Sequence, residues 1–373
     1  MALIYNEEQL MLRDSARDFL KSRAPVSHLR GLRDSNNTEG FSRELWSEMT
    51  EMGWPAILVP EKYGGLEYGY TGIGIVLEEA GRTLTPSPLL GTAMMAAAAL
   101  VNAGSDEQCE TTLPAIAGGE HLLALACDET SRHAPHKVDT SAEEVGTGYR
   151  ISGTKISVID GHIADTFIVS TRTGKDISLF LVPAETAGVT VEAYKVLDTH
   201  LAANVSFDRV QVGRQALLGT LGGGRAILDY ILDVGRAGIS AELLGIAQEA
   251  FERTVQYLKE RKQFGVPIGS FQALQHRAAH LFSEIEMCKS LVIKVLQTLD
   301  ENADGDAELV SLTKSKLCET ARLATTEAIQ MHGGIGMTDE FDIGFFLKRC
   351  RILESLYGDS YYHLDRFSRL RGY

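Results

Sequence analysis

One acid near the C-terminus could do chemistry. The stretch LYGDSYYHLDRF, residues 356–367, places Asp359 behind a glycine and among tyrosines. A carboxylate in a dry pocket can act as a general base, because desolvation raises its pKa toward neutrality. Two interpretations follow: Asp359 is a catalytic base, or it lies beside a position from which a base is missing.

Two other stretches could bind an anionic cofactor. In YLKERKQFGVPIGSFQALQHR, residues 257–277, a predicted long helix ends in a basic cluster whose Arg261 could hold a phosphate through two hydrogen bonds. In QMHGGIGMTDE, residues 330–340, the amides near Gly333 and Gly334 could donate to a phosphate, and glycine lets a ligand approach the backbone. A helix C-cap and a turn would explain each stretch alone. Their combination favours an anionic cofactor.

Three further patterns resemble functional sites but have simpler explanations. LGGGR, residues 221–225, lacks the lysine of a phosphate-binding loop and is predicted to be a flexible lead into a long helix. His133 and His136 could ligate a metal, but no orienting partner is visible in their polar loop, so no metal site is predicted. The segment from Asp300 opens like an EF-hand calcium loop but has serine at its twelfth position, which favours an interhelical loop capped by Asp306.

The composition indicates a multidomain globular protein. The chain has 373 residues and a formal net charge of -14, which disfavours a general nucleic-acid or anionic-membrane partner. Its longest apolar run, residues 89–101, is too short to span a bilayer and predicts a buried helix. Five scattered cysteines, none in a CxxC pair, argue for a reducing cytoplasm and against disulfides or zinc. The first residues show no signal-peptide pattern, and Asn6 is expected to cap a helix.

Three zones with different residue patterns predict an α+β fold with three domains. Helical periodicity dominates residues 1–119, where Ser42 is expected to cap a helix that Gly53 ends. Residues 120–215 contain short β-branched runs between turn residues, which predicts an antiparallel β-barrel; the lack of intervening helical periods argues against a βαβ Rossmann unit. Residues 216–373 are helical again and predict a four-helix bundle.

The individual elements can be placed on the chain. The predicted strands are YRISGTKISVI, DTFIVST, ISLFLVPA, VTVEAYKV and AANVSFDRVQV. The bundle helices are expected over residues 226–262, from about residue 271, over about 308–332, and over the C-terminal segment as a single fourth helix.

The chain resembles the acyl-CoA dehydrogenase family over essentially its whole length. ERKQFGVPIGSFQALQHR is similar to the family's R-x-x-F-G-x-x-I-x-x-x-Q segment, QMHGGIG to its Q-x-x-G-G-x-G segment, and MGWPAILVPEKYGGL to its N-terminal signature. The resemblance implies an α–β-barrel–α fold, a tetramer, FAD as cofactor and α,β-dehydrogenation of an acyl-CoA thioester. It further implies that Arg261 reaches the FAD pyrophosphate of a neighbouring subunit. The cofactor-binding residues it implies are Arg261, Gln263, Phe264, Gln272, Gln330, Gly333 and Gly334.

The chain departs from this family at the catalytic base. Most relatives carry a glutamate in a Y-E-G-T segment, and aligning Tyr357 with that tyrosine puts Gly358 at the base position. A second group places the glutamate directly before a helix arginine that resembles Arg236, which puts Gly235 there. Both positions are therefore glycine, and Asp359, one residue away, is the candidate for a relocated base.

The flavin side of the resemblance is also altered. The family's T-E-P segment is CDETSRHAP here and retains only Glu129. Its K-x-W-x-T segment, which covers the flavin ring, is KISVI here; Lys155 matches, but Ser157 replaces the tryptophan and Ile159 the threonine. Without the aromatic cover and the hydroxyl donor, we expect this chain to hold a flavin ring less well.

Three hypotheses follow for the function. The chain could be the base-lacking subunit of a heterotetrameric acyl-CoA dehydrogenase, completing a partner's FAD site, as the resemblance implies for bacterial degradation of steroid side chains and dicarboxylic acids. It could be a self-sufficient homotetramer with a relocated base, for which Glu242 and Glu354 are further candidates beside Asp359; Glu354 is expected to be a surface group. It could be a non-redox relative that binds acyl-CoA or a protein. The family resemblance also implies an electron-transfer flavoprotein as acceptor.

Overall fold

The computed structural model describes residues 3–301 and 306–373, in which helices, a β-sheet and a second set of helices follow one another. The predicted order of helical, β and helical zones is confirmed. The first helices end at Ala117, the first strand begins at Leu123, and the long helix of the last zone begins at Gly224. A short strand at Leu217–Leu218 still belongs to the sheet, just beyond the predicted boundary at residue 215.

The first zone is a layer of helices whose starts follow the expected caps. Asn6 and Gln9 form a reciprocal capping box at the first helix, and Ser42 accepts from the amide of Leu45 at the third. The predicted buried helix over residues 89–101 is present as a π-helical stretch, Leu89–Ala96, that continues into α5. The helices are α1 Glu7–Arg23, α2 Val26–Asp34, α3 Arg43–Glu51, α4 Tyr70–Thr83, α5 Ala97–Ala103 and α6 Asp106–Ala117.

The middle zone is an eight-stranded sheet in the order β6-β7-β3-β2-β4-β5-β8, with β1 joined to β4. Pairing is antiparallel, as predicted, except that β1 and β2 each pair with β4 in parallel. The structure contains the five predicted strands and adds three short ones, β1, β2 and β8. The strands are β1 Leu123–Ala126, β2 Ser141–Val145, β3 Gly148–Ile159, β4 Thr166–Thr173, β5 Asp176–Pro183, β6 Val189–Lys195, β7 Leu201–Gly213 and β8 Leu217–Leu218.

The last zone is a helical bundle around α7, which is buried along most of its middle. A two-stranded hairpin, β9–β10, separates α7 from α8. The single C-terminal helix predicted from the sequence is wrong, because two helices occupy that segment. The elements are α7 Gly224–Glu260, β9 Lys262–Gln263, β10 Val266–Pro267, α8 Gln272–Glu301, α9 Ala307–His332, α10 Ile343–Ser355 and α11 Ser360–Leu370.

A strained turn separates α10 from α11. Tyr357 and Gly358 both have positive φ, at 55° and 108°, a region that a continuing α-helix cannot use. Asp359 then caps α11. Lys314 of α9, fully buried, donates to the main-chain oxygens of Leu353 and Gly358 at 3.0 and 3.1 Å and so holds both sides of the break.

The simpler explanations of two sequence patterns agree with the structure. In LGGGR, a Cβ on Gly224 would lie 2.8 Å from the Cα of Ser178, so glycine lets α7 begin close against β5. Asp306 caps α9 by accepting from the amide of Leu309, as predicted. Asp300 accepts from the amide and hydroxyl of Thr71 at the start of α4, and residues 302–305 of the EF-hand-like pattern lie outside the described residues.

Two large apolar cores hold these layers together, and a third, small cluster of Leu258, Ile268 and Met331 lies beside the end of α7. One is shared by the N-terminal helices and the bundle, and a smaller one lies within the sheet. All five cysteines are buried as free thiols. Within the described ranges, no helix combines the length and the apolar character that a membrane crossing requires.

Candidate cofactor groove and catalytic cleft

The two predicted phosphate-binding stretches meet in one groove where α7 and α9 end. Arg261 is the C-cap of α7, and the turn Gly333–Met337 directly follows α9. The groove has a volume of about 580 Å³. The predicted cofactor residues that line it are Arg261, Gln263, Phe264, Gln330, Gly333 and Gly334. Gln272, the first residue of α8, is exposed but is not among the lining residues.

The chemistry of this groove fits the diphosphate of a dinucleotide. Over the part of the chain that the structure describes, the exposed guanidinium of Arg261 has no ion-pair partner and is free to bind an anion. A Cβ on Gly333 or Gly334 would meet nothing within 4 Å, so this turn leaves open space in front of its backbone. Phe264 is 90% exposed with φ of 54°, an apolar ring held out at the rim of the groove. An exposed aromatic ring beside an unpaired cation indicates a surface that another molecule covers.

An aromatic stack supports the glycine turn from inside the protein. The ring of His332 lies 4.4 Å from Tyr257 and 4.8 Å from Phe341, measured between ring centroids. Its Nδ1 lies 2.7 Å from the carbonyl oxygen of Ala328 one turn earlier, which fixes the ring. Burial lowers the pKa of His332, so the stack presents a neutral ring next to Gly333.

A second polar centre lies where the family's catalytic glutamate is expected. Arg236, only 1% exposed, donates from Nε to the main-chain oxygen of Tyr357 at 3.0 Å. One terminal nitrogen bonds Asp233 at 2.8 Å, and the other bonds His133 at 3.0 Å and the hydroxyl of Tyr362 at 3.3 Å. The guanidinium therefore ties α7 to the α10–α11 turn and to the loop after β1. We call these five residues the Arg236 network.

The Arg236 network fixes the protonation of His133. Arginine can only donate, so Nε2 of His133 accepts, and Nδ1 carries the proton that it donates to Asp128 at 2.8 Å. Burial, together with Arg236, lowers the pKa of His133 even though Asp128 raises it. The ring is neutral and both nitrogens are engaged. The sequence interpretation that these histidines have no orienting partner was wrong, because Asp128 and Arg236 orient His133, and Asp229 lies 2.6 Å from Nε2 of His136.

Glycine at the two family base positions has different structural reasons. A Cβ on Gly358 would lie 2.3 Å from the ring of Tyr362, so any side chain there requires the turn or the ring to move. A Cβ on Gly235 would meet only the tip of Met95, at 2.7 Å, which is a flexible side chain. The space of a Gly358 side chain is thus already filled, whereas Gly235 is an ordinary helical position beside a movable neighbour.

The acids proposed as a relocated base all have structural partners. Asp359 is exposed, and its carboxylate accepts from the amide of Tyr362 at 2.8 Å as the cap of α11. Glu242 pairs with Arg349 at 2.7 Å. Glu354 pairs with Arg351 at 3.1 Å, in line with the expected ion-paired group. The catalytic role of Asp359 stays a prediction, and the geometry gives its carboxylate a helix-capping role.

One further side chain stands close to Gly358, at the family's base position. Nε2 of His363 lies 3.0 Å from the position of a Cβ on Gly358. The ring is fully buried, and neither nitrogen has a hydrogen-bond partner within the described residues. Burial, followed by the charges of Arg236 and Lys314, lowers the pKa of His363 well below its usual range. A ring that resists protonation so strongly is a poor general base at neutral pH.

The flavin-side residues retained from the family form a buried pair. Lys155 Nζ bonds Glu129 at 2.7 Å, and Glu129 also accepts from the amides of Asp139 and Thr140, which closes the loop that carries His133. Ser157, at the tryptophan position, is exposed on a β-bulge with φ of 55°. The tryptophan position therefore lacks its own aromatic ring and carries a hydroxyl that lies 2.9 Å from the hydroxyl of Tyr194, and Ile159 brings no hydroxyl to the threonine position. With both side chains replaced, the ring end of a flavin fits this chain less well than its diphosphate end.

Sequence reasoning named Arg236, His133 and Tyr357 without joining them, and it missed Asp233, Tyr362 and the acid that orients His133, Asp128. Asp128 and His133 lie in the altered CDETSRHAP segment, where an acid and a histidine five residues apart in a short loop could have suggested a pair. Asp233 is one helical turn before Arg236, a spacing typical of an ion pair. Tyr362 follows the glycine turn, and nothing in the sequence indicates that its ring folds back over Gly358.

Comparison with known proteins identifies the family. The models for the N-terminal, middle and C-terminal domains of acyl-CoA dehydrogenase match residues 6–120, 126–210 and 222–369. The chain therefore belongs to the acyl-CoA dehydrogenase family, whose members are FAD-dependent oxidoreductases that act on CH–CH bonds.

Three relatives illustrate the similarity. The chain is 32% identical to a probable acyl-CoA dehydrogenase, YngJ of Bacillus subtilis, over 93% of both chains. It is 27% identical to CarC of Acetobacterium woodii, a subunit of a caffeyl-CoA reductase-Etf complex, over 96% of both. It superposes on the solved structure of a variant of the Tcur3481-Tcur3483 steroid ACAD with a TM-score of 0.89, 30% identity and 98% coverage of both chains.

Proposed function

We propose that this chain is a subunit of a heteromeric acyl-CoA dehydrogenase and completes the FAD site of a partner chain. The reaction is α,β-dehydrogenation of an acyl-CoA thioester, with the α-proton removed by a base on the partner. Electrons pass from the flavin to an electron-transfer flavoprotein, as the Etf complex of the CarC relative suggests. The free, buried cysteines fit a cytoplasmic setting.

The contrast between the two ends of the cofactor region carries this proposal. At the diphosphate end, Arg261 is unpaired within the described residues and the Gly333–Gly334 backbone is open. At the chemical end, both base positions are glycine, and Tyr362 occupies the space of a Gly358 side chain. A chain that keeps the diphosphate groove but fills the position of the base is suited to assisting chemistry elsewhere.

The residues of the groove would act by binding and orientation. When bound, FAD supplies the acceptor for the two electrons that leave the substrate as a hydride. Arg261 would neutralise diphosphate charge with its forked donors, and the open space in front of Gly333 and Gly334 would let the diphosphate approach the backbone. The amide of Gly333 itself donates to the carbonyl oxygens of Ile329 and Gln330. Phe264, projecting from the rim, would cover the bound group and exclude water from these charged contacts.

The test compares the chain alone with the chain co-expressed with a family member that retains the glutamate base. Alone, we expect it to purify without flavin; the complex should be yellow and be reduced by an acyl-CoA. Within the complex, Arg261→Ala should weaken FAD binding by about 10-fold to 100-fold, since a charged hydrogen-bonding group contributes roughly 1.5–3 kcal/mol.

Arg209→Ala is the matched control. Arg209 is an exposed arginine of the sheet, paired with its neighbour Asp208 and not among the residues that line the groove. Its replacement should leave FAD binding unchanged. Full flavin occupancy and acyl-CoA reduction by the chain alone would contradict the proposal and support the self-sufficient enzyme.

A further inference from the structure

The glycine turn of the groove is tied to the N-terminal helical zone through α2. Arg33 donates from both terminal nitrogens to the carboxylate of Asp339, at 2.6 and 2.9 Å. Arg30 donates to the main-chain oxygen of Asp339 at 2.6 Å and to the carboxylate of Asp342 at 2.9 Å. Asp339 lies two residues beyond the Gly333–Met337 turn, so these bonds hold the segment by which the turn leaves the groove.

The same arginines also grip the start of α10. Their guanidinium carbons lie 4.7 and 5.1 Å from the ring centroid of Phe345, a distance typical of cation–π contact. Arg253 of α7 approaches Asp342 from the other side at 3.4 Å. We call the contacts of Arg30 and Arg33 with Asp339, Asp342 and Phe345 the α2 clamp.

The turn needs such an anchor because of its composition. Three of its five residues are glycine, and glycine loses more conformational freedom on ordering than any other residue. Upstream, the stack on His332 fixes the turn. Downstream, the amide and hydroxyl of Thr338 donate to the carbonyl oxygen of Ile335, and the α2 clamp then holds Asp339. A turn anchored on both sides keeps its backbone in one conformation before a ligand arrives, which lowers the entropic cost of binding.

We propose that Arg30 and Arg33 are positioning residues for the phosphate-binding turn, acting from the N-terminal zone without touching the ligand. This inference rests on the proposed function, because it assigns the turn to FAD. The arginines would raise FAD affinity in the assembled complex by holding Asp339, and with it the backbone of Gly333 and Gly334, in the binding conformation.

The test measures backbone order and FAD affinity on the same variants. In Arg33→Ala, amide hydrogen exchange over residues 333–338 should accelerate in the chain alone, and FAD should bind the complex on the order of 3-fold to 10-fold more weakly. Arg33→Lys keeps the charge but loses the forked pair of hydrogen bonds. Its amide exchange rate and its FAD affinity should both lie between those of Arg33→Ala and those of the unchanged protein. The charge reversal Arg33→Asp with Asp339→Arg should recover part of the affinity.

The matched control is Arg23→Ala. Arg23 makes a forked pair with Glu48, between α1 and α3, so its loss removes a comparable surface pair far from the turn. Arg23→Ala should change neither the amide exchange over residues 333–338 nor the FAD affinity. Unchanged exchange over residues 333–338 in Arg33→Ala would overturn the inference, as would faster exchange with unchanged FAD affinity.

Arg261→Ala, measured in parallel, separates the two proposals. If Arg261→Ala weakens FAD binding and Arg33→Ala does not, the positioning role fails and the proposed function stands. If neither variant changes FAD binding, the assignment of the groove to FAD fails, and the positioning role fails with it.

Discussion

Asp359 shows how one carboxylate can suggest two roles. In the sequence it stands next to the family's base position, which suggests catalysis. In the structure its oxygen accepts from the amide of Tyr362 and begins α11, which is a sufficient reason for an acid at that position. Because the carboxylate is exposed, it also lacks the dry surroundings expected of a general base.

Two substitutions of Asp359 separate these roles. Asn is as good an N-cap as Asp but cannot take a proton, so Asp359→Asn should keep both the stability and the turnover of the assembled enzyme. Asp359→Ala should lower the free energy of unfolding by about 1 kcal/mol through the lost cap. Urea denaturation and steady-state acyl-CoA oxidation check both. A loss of turnover of about 100-fold or more in Asp359→Asn, the order expected for a missing general base, would establish catalysis instead.

At the scale of elements, the α10–α11 turn decides what can occupy the base position. Lys314 of α9 holds the turn by its carbonyls, Tyr357 and Gly358 take left-handed conformations, and Tyr362 covers the glycine. The base position is thus closed by the shape of the backbone as well as by the residue type. Restoring a glutamate at residue 358 requires this turn to be rebuilt.

Alanine at the two glycines should therefore have unequal effects on stability. Gly358→Ala meets both the positive φ and the ring of Tyr362, so the free energy of unfolding should fall by roughly 2–4 kcal/mol. Gly235→Ala contacts only the end of Met95 and gains up to about 1 kcal/mol of helix propensity, so it should be nearly neutral. Equal losses in urea denaturation would show that the turn is not the constraint inferred here.

At the scale of the whole molecule, a buried charge network joins the sheet to the bundle. Arg349 of α10 bonds Glu242 of α7 at 2.7 Å and Asp198 of the β6–β7 connection at 3.0 Å. Burial would raise the pKa of Asp198, but His200 and Arg349 overcome it and hold that pKa below its usual range. Nearby, burial raises the pKa of Asp160 to about 6. Arg349 therefore links the bundle to the sheet through the carboxylates of Glu242 and Asp198.

Removing that arginine should destabilise the protein in a pH-dependent manner. The pKa of Asp198 is lower in the folded state, so its stabilisation is complete above the unfolded pKa and is lost as the pH falls through the folded one. Arg349→Met should therefore cost about 3–5 kcal/mol at pH 7, because the buried carboxylate of Glu242 loses its arginine and Asp198 keeps His200 but loses the stronger cation. The cost should shrink toward pH 4, where protonation of Asp160 relieves part of the repulsion among the buried carboxylates. Urea denaturation at both pH values checks this, and an equal cost at both would contradict it.

The sequence by itself determined the order of the zones, the five longer strands and the starts of α1, α3, α7, α8 and α9. These depend on local signals, such as the caps at Asn6, Ser42 and Asp306 and the alternation of β-branched residues, which act over a few neighbouring positions. It also singled out Arg261 and the Gly333–Gly334 turn, which the fold brings together in one groove, because an arginine at a helix end and a glycine turn are local motifs. The short strands β1 and β2 were not predicted. Strand β1 is buried along its whole length and shows no alternation of apolar and polar residues, and strand β2 is largely polar.

Only the tertiary structure decided what surrounds the missing base. Arg236, Asp128 and Tyr362 are far apart in the chain, and no local rule brings their side chains together. Whether Asp359 faces a dry pocket or caps a helix likewise depends on the path of the backbone between α10 and α11. Hydrogen bonds and burial across distant segments set these pKa values and orientations, and such contacts exist only once the chain has folded.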